Sequence, residues 1–63
     1  MKIRYDPDAD AMYITFRDDK VDHTKEIDES TIADFNKKNQ VIGVELLFVR
    51  ERNPSLLKEF QVE

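Results

Sequence analysis

The sequence predicts an α+β fold, in which a small antiparallel β-meander of four to five strands is followed by one short C-terminal helix. Apolar and polar residues alternate through most of the first 48 positions, and polar turn segments separate the alternating runs. Asn53-Pro54 then precedes an apolar run, as a helix start signal does. We therefore expect a single domain over residues 1–63, with the sheet at about 2–48 and the helix at about 54–61.

The first two strands follow from the period-two alternation of their side chains. Ile3 and Tyr5 lie on one face of the first strand. Met12, Ile14 and Phe16 lie on one face of the second, which is longer and more apolar. Because successive side chains of a strand point to opposite faces, these five residues mark the buried side of the sheet.

The middle of the chain alternates between polar connections and short strands. Residues 17–20 (RDDK) are a turn, and residues 24–27 either pair as a third strand or run as a loop. Residues 31–35 (TIADF) form the next strand. Residues 36–40 (NKKNQ) then make a hairpin loop, in which Asn39 takes the left-handed conformation that glycine usually supplies.

The last strand has the strongest pattern and the helix follows it. Residues 41–48 (VIGVELLF) contain Gly43, the only glycine of the chain. A glycine inside a strand predicts a bulge or the close approach of a neighbouring side chain, here Tyr13. Asn53 as N-cap and Pro54 at the first helical position begin the helix. Its apolar stripe is formed by Leu56, Leu57 and Phe60.

Composition limits the classes of function. The chain has no cysteine, so it lacks disulfides and thiolate sites and fits a reducing compartment. With 14 acidic and 10 basic residues its net charge is −4, which disfavours nucleic acid as a partner and favours a basic protein. No apolar run has the length needed to span a membrane. We expect a cytoplasmic protein without a cofactor.

Three aspartates at alternate positions, Asp6, Asp8 and Asp10, match the first ligands of an EF-hand calcium loop. The match then fails, because Ala11 stands where the loop requires glycine and Arg17 where it requires a bidentate glutamate. A turn explains the segment better: Asp6 caps it, and Asp8 and Asp10 stay in solvent. We therefore predict no metal site.

Catalytic groups are sparse. His23, the only histidine, stands in a polar stretch, and the serines at 30 and 55 fit a turn and a helix cap. Without cysteine or oxyanion-hole glycines the chain lacks the parts of a covalent catalyst. We assign no catalytic residue.

Glu45 is the acid with two open interpretations. It lies inside the strongest strand. Burial would raise its pKa, as in many general bases, and it could then act with Tyr13 or Tyr5 in a pocket between subunits. On a solvated face it would instead pair with a cross-strand Lys, Arg or Tyr, which is the interpretation we favour.

Surplus apolar side chains suggest a binding surface. Tyr13, Ile32, Val41 and Leu47 all fall on the face opposite the expected core. They either lie scattered or form a patch that buries against another chain. Together with Glu45 they are the predicted binding residues, and a small domain with exposed strand edges favours a two-fold homodimer.

Two segments give the chain a resemblance to a known family. Residues 5–14 (YDPDADAMYI) and 26–47, with an acidic turn, a hairpin and a V-G-x-E strand, resemble the domain of unknown function 2283 family. Asn39 stands where that family usually has glycine. The matched positions are Tyr5, Asp6, Asp10, Tyr13, Gly43 and Glu45.

The resemblance implies a small prokaryotic or phage protein without an established activity. Some family members look like companions of small toxin-like proteins, which suggests antitoxins. The sequence thus predicts a non-enzymatic protein-interaction module, in its sharpest form an antitoxin-like stoichiometric inhibitor of a basic protein. The alternative is a small-ligand-binding or enzymatic homo-oligomer that uses Glu45 and Tyr13 at a subunit interface.

Overall fold

A computed structural model describes residues 1–59 of the chain. These residues form one five-stranded antiparallel sheet and two helices of four residues each. The elements are β1 Lys2–Asp6, β2 Ala11–Thr15, β3 His23–Asp28, β4 Thr31–Phe35, β5 Val41–Leu47, α1 Val49–Arg52 and α2 Leu56–Glu59. The predicted small antiparallel sheet with a short C-terminal helical part is confirmed, and the open segment 24–27 pairs as a strand.

The strand order in the sheet is β1-β2-β5-β4-β3. A hairpin (β1–β2) and a three-stranded meander (β3–β4–β5) therefore lie side by side, with β5 at the centre. Residues 16–22 connect β2 to the far edge of the sheet. The two tight turns at 7–10 and 29–30 share one end of the sheet with the end of β5, and the connection and the β4–β5 hairpin share the other.

The two faces of the sheet differ in chemistry because side chains alternate along each strand. Ile3, Ile14, Val44 and Ala33 are direct cross-strand neighbours on β1, β2, β5 and β4. We call their side the apolar face and the opposite side the polar face. Few apolar side chains are fully buried, and among the described residues these are Met12, Ala33, Ile42 and Val49.

The β4–β5 hairpin is built around Asn36. This side chain is 5% exposed, and its Oδ1 accepts the backbone N–H groups of Lys38 and Gln40, both at 3.0 Å. Its Nδ2 donates to Asp19 Oδ2 at 3.0 Å, which ties the hairpin to the β2–β3 connection. Asn39 has φ 64, so the predicted left-handed residue is confirmed.

The chain turns sharply after β5. Phe48 has φ 56, in the left-handed region that a bulky residue rarely adopts. This turn buries Val49, the first residue of α1, whose N–H donates to the backbone oxygen of Asp10 at 3.2 Å. α1 could not be predicted from the sequence, because its four residues have no side-chain cap and are too few to show a helical period.

The predicted C-terminal helix begins later than expected. Instead of capping it, Asn53 is the C-cap of α1, and α2 starts at Leu56 inside the predicted range. The predicted helical residues beyond Glu59, with Phe60, lie outside the described part of the chain. Neither helix found in residues 1–59 has the length and apolar character needed to cross a membrane.

Candidate functional site

One row of side chains crosses the whole polar face. Arg4, Tyr13, Glu45, Ile32 and Glu26 are successive direct partners on β1, β2, β5, β4 and β3. We call this the central row. Neighbouring strands lie about 4.8 Å apart, so adjacent members of the row are within contact range. The structure thus brings together three of the predicted binding residues, Tyr13, Ile32 and Glu45.

The other two predicted residues lie in different places. Leu47 alternates with Glu45 and pairs with Ala11, so it extends the polar face toward the end of β5. Val41 does not share this face, because a register shift pairs it with Phe35. Direct cross-strand partners point to the same side of a sheet, and Phe35 alternates with Ala33 on the apolar face. The expectation that Val41 belongs to the same patch is therefore corrected.

Beside the central row, Tyr13 reaches across β5 to Asp34 on β4. Its hydroxyl donates to Asp34 Oδ2, and Thr24 Oγ1 on β3 donates to Asp34 Oδ1 at 2.7 Å. The ring lies over Gly43, where a Cβ atom would be 2.6 Å from Tyr13 Oη. The predicted close approach of Tyr13 to Gly43 is confirmed, and the missing side chain lets one polar network cross β5 and link three strands, β2, β4 and β3.

This network changes the chemistry of Tyr13. The hydrogen bond to Asp34, partial burial and the negative charges of Asp34 and Glu45 raise the pKa of Tyr13 to about 12. A phenol with this pKa remains protonated at neutral pH. Tyr13 is therefore a hydrogen-bond donor held by the sheet and is poorly suited to act as a base.

An alkaline titration tests this network. We expect tyrosinate absorbance to show one ionisation near pH 12, which Tyr13→Phe removes and Tyr5→Phe retains. A raised folded-state pKa contributes stability below the unfolded value of about 10, and this contribution is lost as pH rises through the folded value. Ionisation of Tyr13 near pH 10 in the folded protein would contradict the hydrogen bond to Asp34.

Glu45 remains available to a binding partner. It is half-buried and makes no hydrogen bond or ion pair with another residue of the described chain. The favoured interpretation expected Glu45 to pair with a cross-strand Lys, Arg or Tyr, and no such pair is found in the described residues. Tyr13 lies directly opposite Glu45, but its hydroxyl is bound to Asp34 instead. A groove of about 310 Å³ beside Tyr13 is lined by Lys2, Ile3, Arg4, Tyr13, Thr15 and Asp18.

A second cluster joins the first hairpin to α1. The Asp10 carboxylate accepts the Tyr5 hydroxyl at 2.6 Å, the Arg50 backbone N–H at 3.1 Å and Arg50 Nε at 3.2 Å. Arg50 Nη2 also donates to the backbone oxygen of Pro7 at 2.6 Å. We call Tyr5, Asp10 and Arg50 the clamp. The hydrogen bond from Tyr5 is the main cause that lowers the pKa of Asp10.

The turn at 7–10 and the clamp show what the alternating aspartates do. Asp6 Oδ1 accepts the N–H groups of Asp8 and Ala9, so the predicted capped turn is confirmed. The expectation that Asp10 stays in solvent is wrong, since the Asp10 side chain is 21% exposed and is held by the clamp. This contact could not be predicted from the sequence, because Arg50 is 40 positions away from Asp10 and no local pattern indicates it.

His23 and the polar group of a larger cavity are both held by neighbouring side chains. Within residues 1–59 no three His, Cys, Asp or Glu side chains are grouped so that they could hold a metal ion. His23 stacks on Phe35 with ring centroids 5.0 Å apart, and its Nδ1 lies 2.8 Å from Asp22 Oδ2. A cavity of about 480 Å³ is lined by residues of the β2–β3 connection and of the β4–β5 hairpin. Its buried polar group, Asn36, is bonded to Asp19 and to the hairpin itself.

Comparison with known families shows to which family the chain belongs. The model of a family described as protein of unknown function (DUF2283) matches residues 2–50. The chain belongs to this family. The DUF2283 match includes all five strands, the Tyr13–Asp34 network and the clamp up to Arg50, and it confirms the resemblance drawn from the sequence. No curated protein matches the chain, and no solved structure matches it.

Proposed function

We propose that this chain is a non-enzymatic protein-interaction module that binds a basic protein partner on its polar face. The observation that carries the proposal is the central row, where Glu45 and Glu26 alternate with Tyr13 and Ile32 across four adjacent strands. Such a surface fits a partner segment that presents Lys or Arg beside apolar side chains, because each side chain then meets its complement.

The charge of the chain supports a basic partner. Its net charge is −4, and a field of this sign attracts a cationic protein and speeds their encounter. The acidic side chains of the central row lie on β5 and β3, while Arg4 lies at the β1 edge. The binding surface is therefore the half of the polar face that contains Glu45, Ile32 and Glu26.

The polar network supports binding rather than catalysis. Asp34 accepts hydrogen bonds from both Tyr13 and Thr24, so the carboxylate and the two hydroxyls satisfy one another. A catalytic acid or base needs an accessible group aimed at a substrate. Here these groups hold neighbouring strands together and leave Glu45 and Glu26 as the acids of the central row that a partner can reach.

The sharpest form of the proposal is an antitoxin-like inhibitor. Family members that look like companions of small toxin-like proteins motivate this version, and the acidic binding surface is suited to cover a basic active-site face. It requires one copy of the chain for each partner molecule and loss of the partner's activity on binding. The identity and activity of the partner are then the quantities to measure.

Affinity capture from the host cell tests the proposal. We expect tagged wild-type protein to retain a small basic protein in stoichiometric amount, with less retained as salt is raised. Glu45→Lys places a positive charge in the central row and is expected to reduce retention by about tenfold or more. Mass spectrometry of the captured chains provides the measurement.

The matched control is Glu51→Lys, which makes the same charge change on the exposed surface of α1. Retention by wild type and Glu51→Lys, with loss by Glu45→Lys, supports binding on the polar face. Equal retention by all three proteins rules out this surface. Recovery of the tagged chain alone contradicts the proposed partner.

A small-ligand site is the second candidate, and the groove beside Tyr13 is the observation that favours it. The groove is lined by Tyr13 but not by Glu45, so the chemical role that this candidate gives to Glu45 with Tyr13 requires a subunit interface that brings both side chains into one site. Glu45→Gln separates the two functions, because it keeps the shape of the side chain and removes its charge. Complete loss of ligand binding or turnover with unchanged stability favours the ligand site, whereas a reduced affinity for a basic protein favours the interaction module.

A further inference from the structure

The central row has a regular spacing, because each of its residues lies on a different strand. Glu45, Ile32 and Glu26 are successive cross-strand partners on β5, β4 and β3. Neighbouring strands lie about 4.8 Å apart, so Ile32 lies about 4.8 Å and Glu26 about 9.6 Å from Glu45 across the sheet. A straight segment that contacts both acids must therefore run across the strands rather than along one of them.

The three side chains form an acid–apolar–acid order that a partner can reach. Neither Glu45 nor Glu26 forms an ion pair within residues 1–59. Glu45 and Ile32 are half-buried, and Glu26 is exposed. The complement of this order is a segment that presents a base, an apolar residue and a second base.

The spacing selects the secondary structure of that segment. In an α-helix, residues i, i+3 and i+7 share one face and lie about 4.5 Å and 10.5 Å apart along the axis. In an extended segment, residues i, i+2 and i+4 share one face and lie about 6.8 Å and 13.6 Å apart. The second base of a helix thus comes within about 1 Å of the position of Glu26, whereas that of an extended segment misses it by about 4 Å.

The opposite end of the row limits where the basic residues can lie. Arg4 is two strands away from Glu45 on the other side, with Tyr13 between them. A base over Arg4 would be repelled, whereas an acid there would be attracted. The basic part of the segment therefore lies over β5, β4 and β3, and not over β1.

We propose that the partner presents an amphipathic α-helix that crosses β5, β4 and β3. Two basic residues seven positions apart lie over Glu45 and Glu26, and an apolar residue between them packs on Ile32. This inference rests on the proposed function and adds the secondary structure of the partner to its charge. Helices that bind through one face use anchors with this same spacing.

Two synthetic peptides of identical composition test the helix. Both are based on alanine and glutamine. The helical peptide has two lysines seven positions apart, with a leucine three positions after the first. The strand-spaced peptide has its lysines four positions apart, with the leucine midway.

The measurement is a titration of isotopically labelled protein with each peptide at low ionic strength, followed by NMR. We expect the helical peptide to bind about tenfold more tightly, because it forms both ion pairs at once and covers Ile32. The amides of Glu45, Ile32 and Glu26 should shift together. Circular dichroism of the mixture should show that the bound peptide is helical.

Three protein variants locate the contacts. Glu45→Gln and Glu26→Gln keep the shape of the side chain and remove its charge. Each should weaken binding of the helical peptide toward that of the strand-spaced peptide, because one ion pair is lost. Glu51→Gln makes the same change on the exposed surface of α1 and should leave both dissociation constants unchanged.

The outcomes separate this inference from the proposed function. Equal dissociation constants for the two peptides overturn the helix, and so does binding that Glu26→Gln does not weaken. If Glu45→Gln still weakens both peptides, the basic partner survives without the helix. If neither peptide shifts the amides of the central row, the helix is overturned, and capture of a basic protein through Glu45 then decides whether the proposed function stands.

Discussion

Gly43→Ala is expected to lower the free energy of unfolding by about 1–3 kcal/mol, although it adds only one methyl group. The backbone of Gly43 does not have positive φ, so alanine can adopt its conformation. The cost is steric, because the new Cβ would lie 2.6 Å from Tyr13 Oη and 3.0 Å from Tyr13 Cζ. The ring can move aside only by releasing its hydrogen bond to Asp34. Urea unfolding followed by circular dichroism measures the change.

A double-mutant cycle shows whether Tyr13 is the cause. Tyr13→Phe removes the hydroxyl, which is the atom closest to the added methyl group. In that background the ring is no longer held by Asp34, so Gly43→Ala should cost less than it does in the wild type. An equal cost in both backgrounds would place the clash elsewhere and would remove the structural reason for glycine at this position.

The close approach of Tyr13 to Gly43 on the polar face could be predicted from the sequence. A single glycine inside a strongly alternating strand indicates a steric requirement, and Tyr13 is the large side chain of the neighbouring alternating run. Asn39 in the hairpin was predictable for the same kind of reason, since few residues tolerate positive φ. Each of these two positions has a local steric or backbone requirement that few residue types meet, so the residue type itself indicates the requirement.

Features that depend on distant pairing could not be predicted. Val41 leaves its expected face because one extra residue enters β5 opposite Phe35, and alternation alone cannot locate a bulge. The β2–β3 connection determines which strands are neighbours, and its polar sequence does not indicate at which position in the sheet β3 will lie. The partner of Tyr13 was also hidden, because Asp34 becomes its neighbour only once β4 pairs with β5.

The family pattern gains a physical explanation from the two clusters. The matched residues Tyr5 and Asp10 belong to the clamp, and Tyr13 and Gly43 belong to the network on the polar face. Each of these four residues holds elements together. Glu45 is the exception among the matched positions, because it has no hydrogen-bond or ion-pair partner in the described chain. This contrast is why Glu45, rather than the aspartates, is the residue we expect a partner to contact.

Asp10→Ala is expected to give the largest loss of stability of any single aspartate substitution in the first hairpin. The change removes the acceptor of the Tyr5 hydroxyl and of two Arg50 N–H groups. It also places alanine at φ 52, a left-handed conformation that Asp and Asn tolerate better. Asp10→Asn keeps that tolerance and loses the charge, so its urea midpoint should fall between those of Asp10→Ala and the wild type.

Asp8→Ala is the matched control, because Asp8 is exposed in the same turn and its side chain makes no hydrogen bond within residues 1–59.

The clamp also makes the stability of the protein depend on pH. The folded-state pKa of Asp10 is lowered, so its contribution is complete above the unfolded value of about 4 and is lost as pH falls through the folded value. The advantage of the wild type over Asp10→Asn should therefore be constant near neutral pH and shrink in acid. An equal fall in midpoint for Asp8→Ala, or an advantage that persists at the acid end, would show that the carboxylate does not hold α1 to the hairpin.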